Sequence, residues 1–364
     1  MESRLFTIDN APGAGRGVFA TRDIPANTHI LTAADLTVHV LFREYRGEVC
    51  SQCFSYALGG KQPLKSPAHN LFFCSTPCQE TFHLNSDPVS MTARAAVENL
   101  IKTKPTSDQH ASTLLGPRPT PAEISLAWDA AETQANLIRT ARSPDAAKIK
   151  PKSHARAVQR ALSTPVSPDV LTFLFSAVLA FYTTPSTPSS ENPYSEGKQT
   201  LLSSLESEST PYLSTHELAE YTSSYLHLLA VLPADILPFV SGEKLHEMKS
   251  RETHNSFGIR SLFDGGSEFF GYGVWPSASY FNHSCDPNLV RRREGREWVF
   301  SAGREIHRGE QLYISYVNGG KEELRDEKGE VMGWEERGRL LKKTWGFECA
   351  CGRCADERVK AQVL

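Results

Sequence analysis

The sequence predicts an α+β fold with its β-rich parts at the two ends of the chain and helices between them. Three observations carry this. Residues 1–40 and the stretch from 252 to 317 alternate in polarity and are broken by Gly and Pro turns. From 91 to 182 the apolar positions repeat with helical period, and further helical segments follow from 215 to 248. All eight cysteines fall into two sets, at 50–78 and at 285–354. A chain of 364 residues exceeds one core of average size, so two or three packed lobes are expected, with one β domain split by a large insertion.

In order along the chain, SRLFTID (3–9) alternates, GAGRG (13–17) is a glycine-rich turn, and VFATRDIPANTHI (18–30) alternates again through Pro25. Residues 41–90 hold the first cysteine set. Helical period is read over 121–142, 153–162 and 169–182. The Ser-, Thr- and Pro-rich stretch 183–215 reads as an exposed loop. A helix is expected over 215–232 with Thr215 as N-cap, and 234–248 looks mostly helical. From 252, HNSFGIRSL and GYGVWPSAS read as strand and turn, VRRREGR (290–296) as a solvated basic hairpin tip, and 296–317 as a hairpin. The last helix, WEERGRLLKKTWGF (334–347), leads into FECACGRC.

Bulk properties exclude several classes. A net charge of −3 gives no global nucleic-acid or membrane signature. The longest apolar run, DVLTFLFSAVLAFY (169–182), is short for a membrane span and suits a buried helix. The opening MESRLFTIDN lacks the basic-then-apolar pattern of a signal peptide, so a soluble intracellular protein is expected, in nucleus and/or cytoplasm. Cysteines stay reduced there, which points to metal before disulfides.

The first set, Cys50, Cys53, Cys74 and Cys78, has paired spacing that suits one tetrahedral zinc ion. The trio Cys349, Cys351 and Cys354 needs a fourth ligand, and Cys285 is the cysteine left over. Two structural zinc ions then use all the cysteines, and the tail must fold back onto the 285 region. Cys285 lies inside SYFNHSCDPNLV (279–290). Asn282-His283-Ser284 also matches a glycosylation pattern, a chance match in a chain without a secretory route. GAGRG alone does not decide between a flexible turn and a cofactor-contacting one. A dinucleotide or class I methyltransferase fold needs a helix directly after the glycines, and Pro25 with the alternation denies it, although Asp35 stands at a tempting distance.

Taken together the pieces resemble a SET-domain protein-lysine methyltransferase, most closely a short, fungal-like member of the SMYD (MYND-SET) type. GAGRGVFATRDI resembles the turn that opens the SET fold, HNSFGI the N-S-F segment, and PSASYFNHSCDPN the N-H-S-C-x-P-N signature. GEQLYISYV resembles the segment ending in the catalytic tyrosine, and FECACGRC the post-SET zinc tail. The resemblance implies a β-rich SET fold in two parts, 1–40 and 251–320. A MYND-like single-zinc finger would occupy 41–90, a helical insertion 91–250 and a post-SET segment 321–364. A MYND finger holds two zinc ions; the ligands resembling its first and third pairs remain here, so the finger looks halved.

By the same resemblance the activity is methyl transfer from S-adenosylmethionine to a protein lysine. Tyr316 would be the catalytic hydroxyl. Gly15, Arg16, Gly17, Asn255, Ser279, Asn282, His283 and Phe347 would contact the cofactor. Phe257, Tyr316 and Trp345 would wall the lysine channel, with Trp345 standing where relatives usually carry tyrosine. The expected partner is a protein lysine substrate, with no membrane, no direct nucleic-acid binding and a monomeric state. The rival expectation is a non-catalytic zinc-binding adaptor on a SET scaffold.

Overall fold

The computed structural model describes residues 4–106, 116–143, 152–183, 202–263, 266–317 and 331–363. Its strands in chain order are β1 (Phe6–Asn10), β2 (Arg16–Ala20), β3 (His29–Ala33), β4 (Val38–Leu41), β5 (Leu64–Ser66) and β6 (Leu71–Phe73). They continue as β7 (Ser256–Arg260), β8 (Phe269–Val274), β9 (Asn282–His283), β10 (Leu289–Glu294), β11 (Glu297–Ala302) and β12 (Gln311–Ile314). The helices are α1 (Thr76–Leu84), α2 (Pro88–Thr103), α3 (Pro121–Arg142), α4 (Lys152–Ser163) and α5 (Pro168–Thr183). After them come α6 (Thr215–Val231), α7 (Gly242–Asn255), α8 (Trp334–Trp345) and α9 (Gly352–Val363).

The chain divides into two compact units. The first joins residues 1–36, 197–205 and 275–364; the second joins 37–196 and 206–274. In the first unit one sheet runs β1-β2-β12-β9 and another β10-β11-β3. Pairing is antiparallel except for β12 with β9, where Tyr313 faces Asn282 and Ile314 faces His283 in parallel register. Inward residues of these strands, Val18, Phe300, Leu312 and Ile314, are buried with Phe6 and Phe281. Each such side chain contributes about 1.5–3 kcal/mol when fully removed from water.

In the second unit a β4-β8-β7 sheet is joined by the helices α2 to α7, and a β5-β6 hairpin with α1 forms the cysteine finger. Apolar α5 buries Leu171, Phe173, Leu174, Phe175 and Val178, which explains a helix apolar on nearly every side. No helix among the described residues is long and apolar enough to cross a membrane. Arg46 is buried, its guanidinium shared among Glu98 (3.0 Å), Thr172 (2.7 Å) and the Leu41 carbonyl (3.0 Å), so its charge and donors are met.

Helix α3 has the bounds its period predicts, and Thr120 with Glu123 forms a capping box at its start. Four expectations need correction. The N-cap of α6 is Ser214, in extended conformation and accepting the Glu217 N–H at 3.1 Å; Thr215 is already helical. The stretch 234–248 is mostly helical, as expected, a 3-10 turn at Leu237–Phe239 and then α7, which Ser241 caps and which runs on to Asn255, past the change of period read at 252. The basic run is strand β10, with its turn at Gly295. Arg293 is only 5% exposed there, because a strand sends alternate residues inward whatever their charge. The hairpin is therefore β10-β11, while β12 pairs with β2 and β9.

The expected exposed loop 183–215 lies partly outside the described residues, at 184–201. Its end is only partly exposed: Leu202, Leu205 and Tyr212 are buried, while Leu213 is exposed. The Tyr212 hydroxyl accepts the Trp128 indole N–H at 3.0 Å, and its ring stacks on His246 at 5.8 Å. A few apolar residues suffice to anchor a polar, Pro-containing segment.

Candidate active site

Strand β12 ends at Ile314, and the chain then carries Ser315 and Tyr316 past the short parallel partner β9. The ring of His283 holds Tyr316 in place: its Nδ1 accepts the Tyr316 backbone N–H at 3.0 Å. The ring's proton then belongs on Nε2, which lies 3.3 Å from Cys285 Sγ. Burial pushes His283 down to about 4, so the imidazole is neutral. The Tyr316 hydroxyl donates to the Phe281 carbonyl at 3.0 Å. That carbonyl is fixed because the Phe281 ring is packed against Phe300 (4.8 Å) and Phe6 (6.5 Å). Burial pushes the Tyr316 phenol up to about 12, so it stays protonated at neutral pH and is no base.

The glycine turn meets this junction. Gly15 takes φ +70°, and its carbonyl closes the turn by accepting the Ala11 N–H at 2.7 Å. Asn282 Nδ2 donates to the Arg16 carbonyl at 2.9 Å. Gly17 is needed for this approach: a Cβ there would stand 2.2 Å from Gln311 Nε2 and 3.1 Å from Asn282 Nδ2. The Arg16 guanidinium lies over the Tyr280 ring, 5.2 Å from its centre. The Ser279 hydroxyl donates to the Trp275 carbonyl at 3.1 Å, within its own turn. Asp35 serves the fold: its carboxylate accepts the Ser277 N–H (2.8 Å) and hydroxyl (2.7 Å), capping that turn.

The C-terminal tail returns to the same place. The ligand atoms of Cys285, Cys349, Cys351 and Cys354 all lie within 4.8 Å of one another. Cys285 Sγ is 3.8 Å from Cys349 Sγ and 3.5 Å from Cys354 Sγ. Zinc–thiolate bonds of about 2.3 Å give a tetrahedron with edges of roughly 3.8 Å, so the donor set fits a closed structural zinc site. Leu341 of α8 is buried with Cys349 and Cys354, and Tyr316, Trp345 and Phe347 pack against that group. Helix α8 ends at Gly346 in the left-handed region (φ +76°), which turns the chain between Trp345 and Phe347. The Tyr316 ring centre is 5.5 Å from Trp345, 6.2 Å from Phe347 and 5.3 Å from His283.

The other four cysteines form a matching cluster in the second unit, also within 4.8 Å. Cys74 Sγ lies 3.6 Å from Cys53 Sγ and 3.5 Å from Cys78 Sγ. Asn255 and Phe257 belong to that unit as well. Asn255 is buried and spends its amide on the Glu206 (2.9 Å) and Arg251 (2.7 Å) carbonyls, securing the end of α7.

Sequence reasoning gave no role to two residues. Asn288, 1% exposed, donates to Gln311 O (2.8 Å) and Glu310 Oε1 (3.2 Å) and accepts the Tyr313 N–H (2.8 Å), which fastens β12 in register. Its place in Asp-Pro-Asn, just before a strand, is the signal that was available. Buried Arg337, in the first turn of α8, reaches the C-terminal cysteines and leaves no local mark in the sequence.

Comparison with known proteins agrees with this geometry. The family model described as "SET domain" matches residues 15–317. A Saccharomyces cerevisiae protein described as a potential protein lysine methyltransferase, SET6, is 24% identical over 386 residues, covering 98% of this chain and 96% of that protein. The human histone-lysine N-methyltransferase SMYD3 is 36% identical over 94 residues, covering 26% of this chain and 19% of that protein. The Eremothecium gossypii histone-lysine N-methyltransferase SET5 is 38% identical over 90 residues, covering 25% of this chain and 16% of that protein.

Proposed function

Because this chain belongs to the SET-domain family, we propose that it is a protein-lysine N-methyltransferase using S-adenosylmethionine. The observation that carries the reading is the Tyr316 hydroxyl, neutral and held on the Phe281 carbonyl, beside His283 and under an aromatic wall of Trp345 and Phe347. When bound, the cofactor would supply a methyl group on a cationic sulfur for transfer to a neutral lysine amine.

The residues present suit such a cofactor. The exposed glycine turn leaves open space at Gly15, where nothing stands within 4 Å of a Cβ position. Gly15, Arg16, Gly17, Ser279, Asn282 and His283 would hold the cofactor through main chain and short polar side chains, with Phe347 covering it. Trp345 and Tyr316 would wall the lysine and keep water out. The Tyr316 oxygen, having directed its proton to the Phe281 carbonyl, keeps lone pairs for weak C–H···O contacts to the methyl group. Positioning rather than base catalysis then supplies most of the rate, and the lysine proton leaves to water before transfer.

The test uses the zinc-loaded full chain. Calorimetry should detect cofactor binding, and labelled cofactor should transfer methyl groups to lysines of a cell lysate. Tyr316→Phe should bind cofactor about as well as wild type and lose about 100-fold or more in transfer, the scale of one preorganised polar group. No cofactor binding would sink the proposal. Binding without transfer to any protein would favour a non-catalytic zinc scaffold.

A further inference from the structure

The two cysteine clusters share one donor set but differ in what surrounds them. Around the finger cluster the side-chain polar contacts include a neutral hydroxyl, that of Ser75, 3.8 Å from Cys74 Sγ. Around the C-terminal cluster they include arginines, beside the His283 Nε2 that lies 3.3 Å from Cys285 Sγ. The Arg337 side chain is 2% exposed. Its Nη2 donates to Glu357 Oε2 at 2.8 Å and faces Cys354 Sγ at 3.6 Å, and its Nη1 donates to the Met332 carbonyl at 2.7 Å. Its Nε is buried with no hydrogen-bond partner. Arg358 donates to the Cys349 carbonyl at 2.7 Å, and Arg353 reaches the Cys285 carbonyl at 3.4 Å.

Arginine stays charged even when buried, and a buried charge needs a counter-charge. Glu357 serves Arg353 as well, at 2.8 Å, so one carboxylate faces two guanidinium groups. Four thiolates around one zinc ion carry a net charge of about −2 and strong acceptor sulfurs. That is the missing counter-charge, and it gives the buried guanidinium something to face. Position adds a second consequence. Arg337 stands in the first turn of α8, whose last residue is Trp345, while Cys354 and Glu357 stand on α9.

We propose that Arg337 is an outer-shell residue of the C-terminal zinc centre, stabilising its thiolates and tying zinc occupancy to the position of the aromatic wall beside Tyr316. The proposal rests on zinc binding and not on methyl transfer, so the two readings fail separately. It also ranks the two centres: the finger zinc is released first and the C-terminal zinc later.

The test follows zinc release from the full chain to a chromophoric chelator, with the cysteines that become alkylated identified by peptide mass. In wild type the finger cysteines should be alkylated before the C-terminal ones. Arg337→Gln should weaken the C-terminal zinc by about 10- to 100-fold, the usual effect of losing an outer-shell partner, and leave finger release unchanged. Its C-terminal alkylation should coincide with a fluorescence change that Trp345→Phe abolishes. Should Arg337→Gln fold poorly, Glu357→Gln still decides. It frees the guanidinium toward the thiolates and should hold the C-terminal zinc at least as tightly as wild type. Unchanged C-terminal release in Arg337→Gln would overturn the proposal. So would weakening by Glu357→Gln of about 10-fold or more, which would mark Arg337 as one half of a structural ion pair.

Discussion

Replacing Asn288 with alanine should cost far more than its size suggests. The side chain is 1% exposed and makes three hydrogen bonds, two of them to the backbone of β12 at Gln311 O and Tyr313 N. Truncation deprives a carbonyl and an N–H of these partners, in a place that water does not reach. Leaving a buried polar group unsatisfied costs about 1–3 kcal/mol, so the sum is about 2–5 kcal/mol, allowing for partial relaxation. Against a typical total stability of about 5–15 kcal/mol, that is a large shift. The assay is urea unfolding of the zinc-loaded chain followed by tryptophan fluorescence, comparing midpoints at unchanged slope. Val290→Ala, two residues on and exposed, is the control and should change stability by less than about 0.5 kcal/mol. If Asn288→Ala unfolds within about 0.5 kcal/mol of wild type, β12 is held in register by something else.

Acid should destabilise the second unit partly through Glu208. Burial alone would raise its pKa, but the Thr210 N–H (3.0 Å) and His254 (2.9 Å) outweigh burial and hold it at about 2. Its folded value is thus below its unfolded one, so its stabilisation is present above the unfolded value and fades as pH falls toward about 2. Glu208→Gln should flatten the stability–pH curve across that window, and an unchanged slope would contradict the assignment. Metal analysis should find about two zinc ions per chain, falling to about one in either Cys53→Ser or Cys354→Ser, with a lower unfolding temperature in both. Full zinc content in either variant would remove that cysteine from its cluster.

Much of this was legible in the sequence because the signals are local. The capping box and apolar period of α3 lie within one helix, and the Cys-x-Cys-x-x-Cys spacing lies within one turn of chain. The failed helix test after GAGRG was also local, and that stretch is strand β2. Counting cysteines even placed the tail against Cys285, because the C-terminal trio needs a fourth ligand and Cys285 is the cysteine left over. Boundaries went wrong where a neighbouring residue competed for the same position, as Ser214 did with Thr215. The segment ending at Tyr212 was misread because polar composition hides a few deeply buried residues.

What sequence by itself determined is the inventory: helices, strands, two zinc donor sets and the motif residues Asn282, His283 and Tyr316. Tertiary structure alone decided the pairing of β9 with β12, the Asn288 clamp, the capping role of Asp35 and the buried guanidinium of Arg337. Those depend on groups tens of residues apart meeting in a space closed to water. There an unmet polar group or charge is costly, and nothing in the local pattern of residues records which distant partner meets it.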